Sequence, residues 1–124
     1  MELLKKEILA EKLREKPNAR FIQRLQVIAD KSNELTFNDF DSLGRFEPKE
    51  AFIERDNLSN DILHKDCEDV VRYIDKYYVQ ALKDNTFYVH LEDNEIRDSI
   101  LGGAKFEKLS DAVRFLWDNQ VSKL

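Results

Sequence analysis

The sequence has few of the residues that mark loop-rich, disulfide-bonded or membrane-spanning chains. It holds three glycines, two prolines and one cysteine among 124 residues, which excludes low-complexity linkers and an internal disulfide. No apolar run approaches the roughly 18 residues that a membrane-spanning helix needs. Charged residues interrupt the first ten positions, where a signal peptide would be continuously apolar. We therefore expect one cytoplasmic domain, residues 1–124, with no membrane partner.

Charge is unevenly distributed along the chain. The net charge is −5, yet residues 1–24 carry seven basic and four acidic side chains, and the remaining residues carry a net charge of −8. The acidic remainder of the chain repels nucleic acid and attracts a basic protein partner. The basic N-terminal segment lacks the interleaved aromatic residues on which bases stack. Nucleic-acid binding through this segment therefore ranks second, as the alternative to binding a basic protein.

Apolar periodicity predicts a mostly helical α+β domain. A first helix spans Leu3–Lys16 and ends at Pro17, because proline cannot continue a helix. Asn18 is a good cap for a second helix, whose apolar face consists of Phe21, Ile22, Leu25, Ile28 and Ala29. Residues 59–83 repeat apolar side chains at helical spacing, which predicts a long central helix. A C-terminal helix is predicted over residues 110–121.

A β-hairpin is predicted over residues 86–101, between the last two helices. Asp93-Asn94 forms its two-residue turn and Gly102-Gly103 ends its second strand, which fixes the register. This register pairs Phe87 with Ile100, Val89 with Asp98, Tyr88 with Ser99 and His90 with Arg97. The carboxylate of Asp98 then faces the apolar side of the hairpin, where a perturbed acid is a candidate functional group. The alternative is a β-bulge at Arg97 or Asp98 that returns this carboxylate to solvent.

The segment of residues 32–57 is rich in phenylalanine, which predicts that it packs on the core. Whether it contains strands is left open. Part of it resembles an EF-hand calcium loop, with Asp39, Asp41, Gly44 and Glu50 at the first, third, sixth and twelfth positions. The resemblance covers one loop, and it departs from the pattern at Leu43 and Pro48. Whether this loop binds calcium is left open.

Catalytic and metal-binding motifs are weak. Asp61, His64, Cys67 and Glu68 would lie on one side of the predicted long helix, but zinc needs three or four convergent ligands. Cys67 falls on the apolar stripe, where a thiol is inert. The sequence has no nucleophile elbow and no phosphate-binding loop. We expect no enzyme activity, cofactor or metal; the alternative is a metal protein or enzyme centred on His64 or Asp98.

The leading prediction is a non-enzymatic protein-interaction module, similar in size and charge to small acidic inhibitors, immunity proteins and accessory proteins. It would engage a basic protein partner. Tyrosine and tryptophan are favoured anchors in interfaces, and charge complementarity speeds encounter. The free edge of a hairpin also leaves a two-fold homodimer open. The candidate partner-binding residues are Tyr73, Tyr77, Tyr88, His90, Arg97, Asp98 and Trp117.

Overall fold

The computed structural model describes residues 2–31, 34–74, 76–91 and 103–123. Within these ranges it has five α-helices and a five-stranded antiparallel sheet, so the predicted mixed α+β fold is confirmed. The helices are α1 (Glu2–Lys12), α2 (Ala19–Lys31), α3 (Phe37–Asp41), α4 (Lys49–Asp56) and α5 (Leu109–Asn119). The strands are β1 (Arg45–Pro48), β2 (Cys67–Arg72), β3 (Tyr78–Leu82), β4 (Phe87–His90) and β5 (Gly103–Phe106), and a 3₁₀ turn spans Val121–Lys123.

The chain divides into two compact units. Unit 1 comprises Met1–Gly44 and Tyr73–Lys76, and unit 2 comprises Arg45–Arg72 and Tyr77–Leu124. Unit 1 is built on α1 and α2, which pack against each other. The predicted cap is present, since the side-chain oxygen of Asn18 accepts a hydrogen bond from the Phe21 N–H at 3.1 Å. A buried Glu11 carboxylate accepts the Asn18 N–H at 3.1 Å.

A second packing centre of unit 1 surrounds Tyr73, which is 1% exposed. Its ring stacks on Phe40 with centroids 4.7 Å apart. A Cβ atom on Gly44 would lie 2.7 Å from Cε1 of Tyr73, closer than carbon atoms pack, so this turn requires glycine. Burial raises the pKa of the Tyr73 hydroxyl. Tyr73 therefore has a core role in unit 1.

The segment that resembles a calcium loop has a different local structure. Asp39 lies in the first turn of α3, where Thr36 caps the helix by accepting the Asp39 N–H. The Thr36 hydroxyl also donates to the Asp39 carboxylate at 2.8 Å. Gly44 then leads directly into β1. A helix, a strand and a second helix thus occupy positions that an EF-hand needs as one irregular ligand loop.

The sheet of unit 2 is a meander in the order β1-β2-β3-β4-β5. Helix α4 covers one face, where Phe52 packs with Val70, Tyr78 and Leu82. Helix α5 covers the opposite face over β3, β4 and β5, and its Phe115 ring lies 5.2 Å from Phe106. Both faces of the central strands are therefore buried.

The prediction of a long central helix over residues 59–83 is wrong. Turns occupy residues 60–66, and the rest of the segment forms β2, a connection, and β3. Strands that are covered on both faces need nearly continuous apolar runs, and such runs also match helical spacing. The β-branched and aromatic side chains of these runs favour strands. Of the described residues between the two strands, Ile74 lies in a bend and Lys76 in a turn. The apolar stripe is therefore divided between two elements.

The first strand of the predicted hairpin is present as β4, but the strand that pairs with it differs from the prediction. Phe87 pairs with Phe106, Val89 with Ala104, and His90 with Gly103. The second strand therefore begins at Gly103, where the sequence predicted a strand end. Ala104 occupies the place that the predicted register gave to Asp98, which keeps the face under α5 apolar. The predicted turn and return strand, residues 93–101, lie outside the described residues.

An exposed acid in the β3–β4 turn gives a prediction that tests this new register. Asp84 accepts a hydrogen bond from Lys105 on β5 at 2.8 Å and from the Thr86 hydroxyl and N–H. These bonds, the one from Lys105 foremost, lower the pKa of Asp84 from 3.8 to about 2. We expect Lys105→Met to raise it back towards 3.8, as measured by NMR titration of the carboxyl carbon. An unchanged midpoint would contradict the pairing of β4 with β5.

The lowered pKa of Asp84 also determines how its interaction changes folding stability with pH. Because the folded-state pKa of Asp84 lies below its ordinary value of 3.8, the interaction stabilises the fold above that pH and the stabilisation is lost as the pH falls towards about 2. The pair is exposed to solvent, so salt screens it and its contribution is small. The titration midpoint is therefore the better measurement of this contact.

Candidate functional site

The edge strand β1 presents its side chains the opposite way from an ordinary half-buried strand. Arg45 and Glu47 are half-buried, whereas Phe46 and Pro48 are exposed. Phe46 is 64% exposed, the only large aromatic side chain among the exposed apolar residues of the described chain. Strands with one buried face normally turn charged residues outward. The inversion places an aromatic ring in solvent, and such an exposed apolar group is a marker of interaction sites.

A chain of alternating charges fixes this inverted orientation. Arg55 on α4 donates two hydrogen bonds to the carboxylate of Glu47, at 2.5 and 2.6 Å. Both partners lie on the sheet face that α4 covers. A slip of β1 by one residue would bury Phe46 and turn Glu47 into solvent. The bidentate pair, a strong and directional type of contact, opposes that slip.

The charge network continues from α4 to β2. Arg55 also reaches the Asp56 carboxylate at 3.4 Å, and Asp56 accepts two hydrogen bonds from Arg72 at 2.8 and 2.9 Å. Burial lowers the pKa of Arg55, but its hydrogen bonds to Glu47 and Asp56 more than offset this effect and raise it. Arg55 therefore stays charged, and the four side chains tie β1, α4 and β2 together.

The backbone edge of β1 completes the site. In the sheet order β1 is terminal and pairs only with β2, through Phe46 opposite Val71. No strand in the described ranges pairs with its outer side. An open edge offers backbone N–H and C=O groups to an incoming strand, although Pro48 has no N–H to donate. The strand and its exposed Phe46 define what we call the β1 edge, residues Arg45–Pro48.

The surroundings of the β1 edge are acidic on balance. Unit 2 carries 16 acidic and 11 basic residues, whereas unit 1 carries nine of each, so the whole net charge of −5 belongs to unit 2. Glu50 and Glu54, on the helix that follows β1, are exposed. Asp69 lies opposite Pro48 on the neighbouring strand. This balance favours a positively charged ligand.

The predicted partner-binding residues are scattered through the structure. Tyr73 and Tyr77 are buried. Tyr88, His90 and Trp117 are half-buried on β4 and α5. Arg97 and Asp98 lie outside the described residues. As partner anchors these residues stay predictions, and none of the described ones belongs to the β1 edge.

The residues considered for metal binding do not share a helix face. Asp61 and Glu68 are exposed, and Cys67 is buried on β2. The His64 ring lies 4.9 Å from Tyr88 and its Nδ1 accepts the Asp66 N–H at 3.1 Å. Burial raises the pKa of Cys67 to about 11, so the thiol is protonated at neutral pH. Among the residues described, no three His, Cys, Asp or Glu side chains cluster as metal ligands do.

Comparisons with known proteins add nothing to these observations. No protein-family model, curated protein or solved structure matches the chain. In the described ranges, no helix has the length and apolar character to cross a bilayer. The functional argument therefore depends on the geometry of the molecule.

Proposed function

We propose that the protein is a non-enzymatic interaction module that binds an extended, basic segment of a protein partner along the β1 edge. The observation that carries this proposal is Phe46, 64% exposed in the middle of a terminal strand. A partner strand would add its backbone hydrogen bonds to the open edge, as in strand-addition complexes. An apolar partner side chain would cover the Phe46 ring.

The local charges support a basic partner over an acidic one. Exposed Glu50 and Glu54 follow the strand directly, and unit 2 has a net charge of −5. Opposite charges steer encounter and select between partners. The Glu47–Arg55 pair supports the proposal in another way, because a strand that is already fixed in its register loses little conformational entropy when it binds.

The test uses peptide selection on the full chain. A phage-displayed library of random short peptides is panned against the protein, and we expect enrichment of basic sequences with alternating apolar residues. Phe46→Asp should weaken the selected peptides about 30-fold, the equivalent of about 2 kcal/mol for an interface anchor. Fluorescence anisotropy with a labelled selected peptide measures this loss.

Two controls make the outcome decisive. Val27→Asp adds the same carboxylate at an exposed apolar position of unit 1 and should leave peptide affinity unchanged. The proposal would be overturned if every selected peptide bound Phe46→Asp as well as the parent, or if the peptides whose binding depends on Phe46 were acidic. Sedimentation showing that the parent is a dimer and Phe46→Asp a monomer would also overturn it, because a second copy would then occupy the edge.

The other predicted functions lack a comparable observation. Binding of nucleic acid through the basic N-terminal helices stays a prediction, and the salt dependence of duplex DNA affinity would test it. Of the bases in that segment, Arg14 is already paired with Glu11 at 2.7 Å. A metal or catalytic role of His64 or Asp98 also stays a prediction.

A further inference from the structure

Helix α1 in unit 1 is apolar on two sides, and the core accounts for one of them. Leu4 and Ile8 are buried. Leu9 and Leu13, one helical turn apart, are 58% and 77% exposed. Side chains four positions apart on a helix are neighbours, so the two leucines form a continuous apolar patch in solvent. A helix that is covered on one side needs only one apolar stripe, and the second stripe needs another explanation.

A groove between α1 and α2 lies beside this patch. Ile8 and Ala29 give the groove apolar surface, and the side chain of Gln26 donates to the Asp30 carboxylate at 3.0 Å across its α2 rim. This bond uses one of the two carboxylate oxygens of Asp30. The residues that line the groove are Lys5, Ile8, Leu9, Lys12, Gln26, Ala29 and Asp30.

Lysines frame the exposed leucines. Lys5 and Lys12 line the groove on the α1 side, and both are exposed. An apolar strip with bases at its borders is complementary to an amphipathic helix that carries acids beside its apolar face. α1 is about 16 Å long at 1.5 Å per residue, which matches about three turns of an incoming helix.

We propose that the groove between α1 and α2 binds an acidic amphipathic helix of a protein partner. Apolar side chains of that helix contact Leu9 and Leu13, and its carboxylates pair with Lys5 and Lys12. This helix-in-groove mode is a second binding activity, independent of the β1 edge and opposite in charge preference. With both surfaces, the chain joins a basic strand-forming partner to an acidic helical one.

Two other occupants fit the surface less well. A second copy of the chain would bring the same lysines against each other, and like charges in contact are unfavourable. An anionic membrane fits less well because the two exposed leucines give little apolar area for insertion into lipid. The acidic helix accounts for both the apolar strip and the lysines beside it.

The test uses two synthetic peptides as probes and the ¹⁵N-labelled full chain. Both peptides place leucine at helical spacing; one carries glutamate at its other positions and the other carries lysine. We expect the glutamate peptide to shift the amide signals of Leu9, Lys12 and Gln26, and the lysine peptide to leave them unchanged. Leu9→Asp should weaken the glutamate peptide at least tenfold, and Lys5→Glu/Lys12→Glu should transfer binding to the lysine peptide.

The controls separate this site from the β1 edge. Phe46→Asp should bind the glutamate peptide with unchanged affinity, so the two proposals can fail independently. Circular dichroism melts confirm that each variant is folded, and Leu13→Gln replaces Leu9→Asp if that variant unfolds. Equal binding of both peptides, or no shift on α1, overturns the proposal. Leu9-dependent binding to phosphatidylglycerol vesicles without binding to the glutamate peptide also overturns it, because the face would then be a membrane contact.

Discussion

Phe52→Ala is expected to lower the free energy of unfolding by about 3–5 kcal/mol, as large aromatic truncations in protein cores do. Phe52 is 2% exposed, and its ring lies 4.8 Å from the Tyr78 ring. It fixes α4 on the sheet face that also holds Val70 and Leu82. Urea denaturation followed by circular dichroism measures the loss as a lower midpoint at an unchanged slope.

The matched control for this prediction is Phe46→Ala, which removes the same side chain six residues away. Because Phe46 is exposed, its truncation should change stability by no more than about 0.5 kcal/mol. Phe52→Leu, which keeps most of the volume, should cost about 1–2 kcal/mol and serves if the alanine variant does not fold. Equal losses at positions 46 and 52 would contradict the orientation of β1.

Asp56→Ala is expected to cost about 2–3 kcal/mol, since it leaves a buried guanidinium without its carboxylate. Arg72 is 7% exposed and donates two hydrogen bonds to Asp56. Asp56 itself is partly exposed, which keeps the loss below that of a fully buried pair. The same urea denaturation gives the value, compared with the parent at neutral pH.

The double variant Asp56→Ala/Arg72→Met separates the orphaned charge from lost packing. An apolar side chain of similar length restores much of the stability when a buried charge is the cause. We therefore expect the double variant to be more stable than Asp56→Ala alone. Lys105→Met, which breaks the exposed pair with Asp84, should leave the urea midpoint almost unchanged, because solvent and salt screen this pair. A double variant that is as unstable as the single one would refute the charge explanation.

Local signals predict the elements whose folding depends on near neighbours. Asn18 caps α2 within three residues, and α5 and β4 follow their own periodicity. The segment of residues 59–83 fails because its apolar residues serve two strands in a sheet that is buried on both faces, and helical spacing fits them equally well. Burial on two faces is a property of the assembled sheet, and a single strand does not encode it.

The candidate site could be predicted only in part, because the side of a strand that is buried depends on residues distant in the sequence. The sequence Arg45-Phe-Glu-Pro48 alternates polar and apolar residues, which indicates a strand but not which side faces the core. That choice depends on Arg55, eight residues beyond Glu47, and then on Asp56 and its contact with Arg72, sixteen residues farther along the chain. Pattern alone favours a buried Phe46, and the sequence prediction accordingly assigned its phenylalanine to the core.

The charge network of β1 and α4 separates two properties that many binding sites combine. Glu47, Arg55, Asp56 and Arg72 hold the register, and Phe46 contributes almost nothing to it. The side chain at position 46 can therefore be exchanged for another shape or charge while the backbone edge stays in place. On the proposed function, a substitution at position 46 alone would change the preferred partner and leave the fold intact.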